Sequence, residues 1–377
     1  MKICILTTGH SAMDDRIFYK EALSLKKVYD DVTIIAPDER DSYIKDGINI
    51  IGVKKPNSLY ERFRLVDTVV NEAIKNRADI YHFHDFEIIY KVLKIKKYLP
   101  DSKIIYDVHE YFPDMVRMSK KIPKLIKPFM TFFVDKTELI KARKFDYIIT
   151  ADDAVKERFC HVNKKVDVIY NFSEFKTLKE DKFKKKYDVI YQGGITMERG
   201  VFNAVRAIEI VKKKKPDIKM IFVGPFDDKE DRKKVYDYIE EKCLSKNIIF
   251  IGKVPHTDVE SYIRSSKIGI VTLLPFPKYF KNIPIKQFEY MSCGIPVVGS
   301  DLPPIKKFVK SYNSGIIVDP TKPQEIADAI DKLLDDRELC KKLGENGIKA
   351  VSESYNWNNM EIKLLNIYKS LQSDMKC

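Results

Sequence analysis

Asn282-Ile-Pro-Ile-Lys-Gln-Phe-Glu-Tyr-Met-Ser-Cys-Gly-Ile-Pro-Val-Val-Gly-Ser-Asp301 is the stretch on which the fold turns. It reads as a loop, a short helix carrying Glu289, a stop at Gly294, and a buried strand closed by Ser300-Asp301. A loop running into a helix N-terminus offers free backbone N–H groups and the positive end of the dipole, which suits a diphosphate. Lys286 adds a point charge on that side. Glu289, one turn further in, is placed to accept hydrogen bonds from vicinal sugar hydroxyls.

Outward from this stretch, strands and helices alternate. In the second half the strand candidates are 188–192, 218–223, 247–251, 268–273, 295–299 and 315–318. Helical patterns fall at 201–213, 229–243, 257–264, 323–334 and 337–352. The first half offers strands at 2–7, 31–36, 48–53, 79–84, 103–108, 146–150 and 167–170, with helices at 17–27, 61–75 and 88–97. Continuous apolar strands interleaved with helices predict parallel sheets covered on both faces. Residues 172–187 turn polar and read as a linker. The expectation is therefore α/β: two Rossmann-like, doubly wound domains over 1–171 and 188–356, with the carboxyl ends of their sheets facing across a cleft. The segment 357–377 is an amphipathic helix.

The bulk properties agree. A chain of 377 residues exceeds what one core usually supports. Sixty-eight Lys and Arg against 55 Asp and Glu give +13, which favours an anionic partner or surface. Much of that excess is lysine on helix surfaces, as in 212–215, and no zinc-finger or RNA-binding signature accompanies it, so nucleic acid is not expected. The six cysteines are scattered without paired spacing, which argues against a zinc site or disulfide framework and fits a reducing cytoplasm. No apolar run reaches 18 residues, and the opening MKICILTTGHSAMDD reads as a first strand, not a leader.

Chemistry-bearing residues gather at strand ends. Asp14-Asp15-Arg16 opens the first helix: either the acids at its N-terminus explain the motif by themselves, or Arg16 faces the cleft and meets phosphate or acceptor. Tyr81-His82-Phe83-His84-Asp85 puts both histidines on one strand face, with Asp85 where the loop begins. Asp107-Val108-His109-Glu110 ends the next strand. His84, Asp85 and His109 have the donor types of a metal site, but also those of hydrogen-bonded strand ends. Gln192-Gly193-Gly194 leads through Arg199-Gly200 into a helix, where glycines admit a close ligand and a cation neutralises phosphate. Residues 115–144 combine Arg117, Lys120, Lys121, Lys124 and Lys127 with Leu125, Ile126, Phe129, Met130 and Phe133 at helical spacing. Such a segment either lies on an anionic membrane or packs on the sheet with a solvated basic rim. Pro123 suits its start and Pro128 predicts a bend.

With these residues in place, the chain resembles the family 4 retaining glycosyltransferases of the GT-B fold over nearly its whole length. The matching motifs are 282–301, Asp14–Phe18, Asp107–Glu110 and Tyr191–Gly200. The resemblance implies transfer of a hexose-type sugar from a nucleotide-diphosphate donor to a glycan or lipid-linked glycan, in cell-envelope polysaccharide synthesis. It assigns catalysis to His109 and Glu289 and donor contacts to Gly194, Arg199, Ile285, Lys286 and Glu289. Arg16, His84, Asp85 and Glu110 fall on the acceptor or sugar side, and Lys120, Lys121, Lys124, Lys127 and Phe129 meet the membrane. It implies no tightly bound cofactor and no metal. It also implies a cytoplasmic protein, peripheral at the inner face of the cell membrane, whose last helix packs on the first domain. The chain departs from the family at several points: Arg199 is the one cation of its loop where two are common, and Pro284-x-Lys286 replaces a glycine-rich turn. Lys281 stands where the first of two motif glutamates is usual, and Gly9 is the lone glycine of the first loop. The alternatives are a nucleotide-sugar epimerase of the same fold and a catalytically silent donor-binding or scaffold protein at the membrane. A dinucleotide oxidoreductase fits least, because no G-x-G-x-x-G follows the first strand.

Overall fold

Short runs of Ile, Val and aromatic residues set between helices can bury both faces only as parallel strands in a layered sheet, and two such sheets form. The computed structural model describes residues 1–119, 122–174 and 183–375, so Lys120, Lys121 and part of the expected linker lie outside the described residues. The chain divides into one unit of Met1–Asn171 with Trp357–Cys377, and a second of Phe172–Asn356.

In the first unit, β1 (Lys2–Leu6), β2 (Asp31–Pro37), β3 (Ser42–Lys45), β4 (Ile48–Val53), β5 (Ile80–Phe83), β6 (Lys103–Val108), β7 (Tyr147–Thr150) and β8 (Val166–Val168) line up as β3-β4-β2-β1-β5-β6-β7-β8. Only β3 runs antiparallel, joined to β4 by Asp46-Gly47, both at positive φ. That two-residue turn has the twist a hairpin needs. It adds an edge strand absent from the sequence reading, although the Asp-Gly signal stood there. In the second unit, β9 (Tyr187–Gln192), β10 (Met220–Val223), β11 (Ile248–Gly252), β12 (Ser266–Val271), β13 (Val297–Ser300) and β14 (Gly315–Val318) form an all-parallel sheet ordered β11-β10-β9-β12-β13-β14.

Alternation sorts the first unit's residues by face. Cys4, Leu6, Tyr81, Phe83, Tyr106 and Val108 face one core. Ile3, Ile5, Ile80 and Ile105 face the other, together with the final helix Trp357–Asp374 through Trp357, Leu364, Ile367, Tyr368 and Leu371. Towards the carboxyl ends of β5 and β6 this second face turns polar, at His82, His84 and Asp107, all nearly inaccessible to solvent. Each sheet reverses its strand order beside its first strand, between β1 and β5 and between β9 and β12, and loops diverging at such a point leave a crevice.

Three helical expectations change. The segment predicted as one helix over 88–97 is a 3-10 helix, Phe86–Tyr90, followed by a short α-helix, Lys94–Tyr98. The segment predicted as one helix over 17–27 is a π-helix, Asp15–Ala22, continued by a short α-helix, Leu23–Lys26. The segment 115–144 is two helices, Phe112–Met118 and Lys127–Ala142. Pro128 sits in the first turn of the second helix and starts it, where a bend was expected, because a proline there removes only an N–H that has no helical partner. Among the described residues no helix is long and apolar enough to cross a membrane.

Trp357 ties the last helix to the first unit by burial and by its Nε1–H, which donates to Ser24 Oγ at 3.0 Å. Trp357→Ala is expected to cost about 3–5 kcal/mol, read as a lower chemical-unfolding midpoint.

Candidate active site

In the second unit the β9–β12 switch point sets two segments side by side: 193–199, which follows β9, and the loop after β12 that leads to helix Lys286–Ser292. Lys286, the first residue of that helix, is 9% exposed. Its Nζ lies 3.7 Å from the centre of the Tyr191 ring and has no hydrogen-bond partner among the described residues. A ring face attracts a cation but does not replace the hydrogen bonds an ammonium loses on burial. Burial, then the nearby Arg199 charge, lower the Lys286 pKa to about 7.

Gly193 has φ +102°, and a Cβ there would lie 3.5 Å from Lys286 Nζ. The glycine thus allows the left-handed backbone and keeps the ammonium approachable. Arg199, in a 3-10 turn capped by the Thr196 side chain, donates from Nη1 to Gly194 O at 3.3 Å. Tyr191 Oη donates to the same carbonyl at 2.8 Å. Glu289 accepts from Gln192 Nε2, which fixes its carboxylate near the end of β9. Ile285 is the half-exposed residue before the helix, and Lys281 closes the short 3-10 turn Pro277–Phe280. Tyr191 and Gln192 were quoted from the sequence only as the run into the glycines. Their roles here depend on β9 lying against the helix, which spacing alone does not reveal.

In the first unit, the polar face at the ends of β5 and β6 closes around Arg16. Arg16 is 3% exposed. Its Nε lies 2.8 Å from Glu21 Oε1 and its Nη2 2.8 Å from Asp107 Oδ2, and Nη1 donates to Ile169 O at 2.8 Å. The expectation that Arg16 reaches phosphate or acceptor gives way to this buried arrangement, in which its guanidinium is already engaged. Glu21 lies in the same helix as Arg16. It meets Arg16 because π-helical i→i+5 bonding brings residues five apart close together, as it also does for Asp15 and Lys20.

Against the cost of burial, Arg16 and the neighbouring histidines hold Asp107 well below the usual carboxylate range. Burial drives Glu21 the other way, well above it, with Arg16 only partly opposing. His84 Nδ1 lies 2.9 Å from His109 Nε2, and His84 Nε2 lies 3.4 Å from Glu21 Oε2. His82 Nδ1 meets Tyr368 Oη at 2.8 Å. Burial keeps His84 well below its ordinary pKa and lowers His109 to about 4, so both rings are neutral at pH 7. His109 is the one that reaches solvent, with 19% of its side chain exposed. Glu110 follows it, its pKa raised by burial.

Asp85 is buried and committed to the chain itself. It accepts from Thr7 Oγ1 at 2.6 Å, Thr8 N at 2.7 Å and Gly9 N at 3.0 Å, and pairs with Arg62 Nη2 at 2.8 Å. A Cβ on Gly9 would come within 2.4 Å of Arg62 and 2.6 Å of Asp85, so this glycine makes room for an internal ion pair. His10 was not singled out from the sequence. Its Nδ1 lies 3.2 Å from Asp14 Oδ2, a contact that raises its pKa, and its ring centre lies 5.3 Å from that of His109.

Two families match the chain: Glycosyltransferase Family 4 over residues 16–173, and Glycosyl transferases group 1 over residues 173–350. An uncharacterized glycosyltransferase of Methanocaldococcus jannaschii is 28% identical over 67% of this chain and 65% of its own length. Of that relative and of a second from the same organism, the chain spans less than two thirds, 65% and 59%. Sucrose-phosphate synthase from Thermosynechococcus elongatus superposes with a TM-score of 0.74 at 16% identity, covering 99% of this chain and 100% of that one. Anabaena HepE in complex with UDP-glucose gives 0.73 at 16% identity, over 98% and 100% of the two chains. At such identities the likeness establishes the GT-B fold.

The buried ammonium makes a prediction about stability. Lys286 binds its proton more weakly folded than unfolded, so the fold is penalised below pH 7 and the penalty vanishes above about pH 10.5. Lys286→Met is therefore expected to raise the unfolding midpoint at pH 6 and to leave it unchanged near pH 11.

Proposed function

This chain belongs to the family 4-like glycosyltransferases of the GT-B fold, and we propose that it moves a hexose-type sugar from a nucleoside-diphosphate donor to a glycan or lipid-linked glycan acceptor, with retention of configuration. One observation carries the donor assignment: Lys286 is a buried ammonium with no hydrogen-bond partner among the described residues, beside Gly193 and Arg199. Such a group is costly in an empty site and favourable once an anion reaches it. HepE, of the same fold, has been crystallised with UDP-glucose, which supports this donor class.

In this reading Lys286 and Arg199 stabilise charge developing on the leaving diphosphate. Glu289, oriented by Gln192, accepts from the donor's ribose hydroxyls, and Gly193 and Gly194 let the backbone approach the phosphates. Lys281 removes one carboxylate contact to the transferred sugar, so sugar choice falls to other groups. His109, neutral and partly exposed, holds a hydroxyl on the sugar or acceptor. Arg16, His84 and Asp107 support it from behind, while Asp85 holds the first loop and Glu110 lies next to His109.

Helix Lys127–Ala142 supports an acceptor at an anionic membrane in cell-envelope synthesis, and with it a cytoplasmic protein peripheral to the inner face. Its amphipathicity is inverted. Glu138 is buried against Tyr106 Oη and Arg158 at 2.6 Å each, whereas Phe129, Phe132 and Phe133 are 73%, 61% and 55% exposed. Leu125, 92% exposed, extends the stripe, with Lys124 and Lys127 beside it. An outward aromatic stripe with a basic margin suits the interface of an anionic bilayer.

Release of nucleoside diphosphate from a panel of nucleotide sugars, with and without lipid extract, tests the function. Release is expected from one donor, reduced at least about 100-fold in Lys286→Ala and Glu289→Ala. No release from any donor would favour the silent binding protein.

Nucleoside-diphosphate affinity is expected to weaken between pH 7 and 9 by up to about tenfold per unit, because the bound form needs the Lys286 ammonium. Titration calorimetry reads this, and a flat profile would remove Lys286 from the site.

Sedimentation with anionic vesicles is expected to capture the wild type and to lose Phe129→Ser/Phe133→Ser. Unchanged capture would refute the membrane assignment.

A further inference from the structure

The second unit carries a cavity at the end of its sheet away from Lys286. Gly193 and Arg199 follow the carboxyl end of β9, and Lys286 follows the loop after β12. The cavity, of about 900 Å³, opens where the parallel strands begin. Asp188 lies at the start of β9, Ile218 ahead of β10, Lys267 at the start of β12, and Ile295-Pro296 ahead of β13. Such a volume accommodates a small organic molecule.

The lining has two characters. Ile218, Ile295, Pro296 and Leu333 are buried apolar side chains, with Leu334 and Ile348 half-buried beside them. The polar part is cationic: six Lys and Arg side chains stand against two acids, Asp188 and Asp217. Three of the six are held by the fold. Lys215 lies 3.3 Å from Asp331 and 2.9 Å from Asp335, and Lys267 lies 2.8 Å from Asp188. Lys185 Nζ donates to Arg264 O at 2.8 Å.

Arg264, Arg337 and Lys341 remain. Arg264 is 9% exposed, and its Nε donates to Glu260 Oε1 at 2.8 Å, while neither Nη donates to a described group. It ends the helix His256–Arg264, where the dipole favours a cation. The same dipole disfavours Arg337, which begins the helix Arg337–Glu353 and pairs with no acid among the described residues. Lys341, one turn further on, comes only within 3.9 Å of Glu345. Like charges gathered around one concavity raise its potential and oppose the fold until a counter-charge enters.

We propose that this cavity binds a small amphipathic anion, its carboxylate or phosphate held by Arg264, Arg337 and Lys341 and its apolar body laid against Ile218, Ile295 and Leu333. The site goes beyond the donor reading and stands whether or not that reading holds. Two guanidinium forks match the paired oxygens of a carboxylate or phosphate. An inorganic anion would leave the apolar lining uncovered, and a neutral apolar molecule would leave the cations unmatched. A molecule with both parts satisfies both.

Titration calorimetry of the full chain with decanoate, decyl phosphate and 1-decanol, each kept below its aggregation concentration, tests the site. One or both anions are expected to bind with one-to-one stoichiometry, at least about tenfold tighter than the alcohol. The tighter of the two identifies the preferred head group. Arg337 and Lys341 are exposed, so Arg337→Glu/Lys341→Glu is expected to keep the melting temperature and to weaken anion binding at least about tenfold. Methyl spectra of isoleucine-labelled protein should shift at Ile218, Ile295 and Ile348, and saturating uridine diphosphate should leave the anion's affinity unchanged. Four results would each overturn the site: no anion with a Kd below about 1 mM, decanol binding as tightly as the anions, wild-type affinity in the double variant, or displacement by uridine diphosphate.

Discussion

A guanidinium with 3% of its surface exposed must be matched within hydrogen-bonding distance or expelled, and the first unit is organised around matching Arg16. Asp107 comes from a strand, Glu21 from the same helix as Arg16, and Ile169 O from the segment just after β8. Three elements are thereby fixed against one side chain. The π-helical register is part of the solution, since only i→i+5 stacking brings Glu21 over Arg16 within one helix. With the carboxylates held, His82, His84 and His109 acquire defined neighbours, and the final helix closes the cluster with Tyr368.

The second unit solves the converse problem. Lys286 is buried with no ion-pair partner among the described residues: Glu289 is engaged by Gln192 and only partly offsets the burial, and the ammonium rests on the Tyr191 ring. Matched charge ties three elements of the first unit together, and unmatched charge is what the proposed donor site of the second would draw on. This division follows from the chemistry of the residue types. A planar guanidinium pairs with two carboxylates at once, whereas an ammonium adapts its protonation to its surroundings.

Much of this was legible in the sequence, because alternation and apolar runs state their own geometry. The parallel strands, the shared face of His82 and His84, and the glycine loop before Arg199 follow from spacing alone. Other features were not, each for a physical reason. The π-helix has the same composition as an α-helix, so 17–27 reads as one. Asp46-Gly47 announced a hairpin, but the β3 sequence Ser42–Lys45 lacks the apolar pattern that marks a strand. His10, Arg62 and Glu87 join the site region only because β1 lies beside β5, and adjacency between strands leaves no mark on either one. Arg16 was visible as a residue of interest, yet its burial depends on partners 5 and 91 positions away.

The return of the last helix to the first unit has a consequence for the order of synthesis. Residues 172–356 form a unit from one unbroken stretch, which is complete once Asn356 has been added. The first unit, though begun earlier, lacks Trp357, Leu364, Tyr368 and Leu371 until the residues after Asn356 have been added. During translation its second core face, with isoleucines and buried ionisable groups alike, stands partly uncovered while the later unit closes. The face of the molecule made first is therefore covered only after the second unit is complete, and its isoleucines stay open to other contacts in the interval.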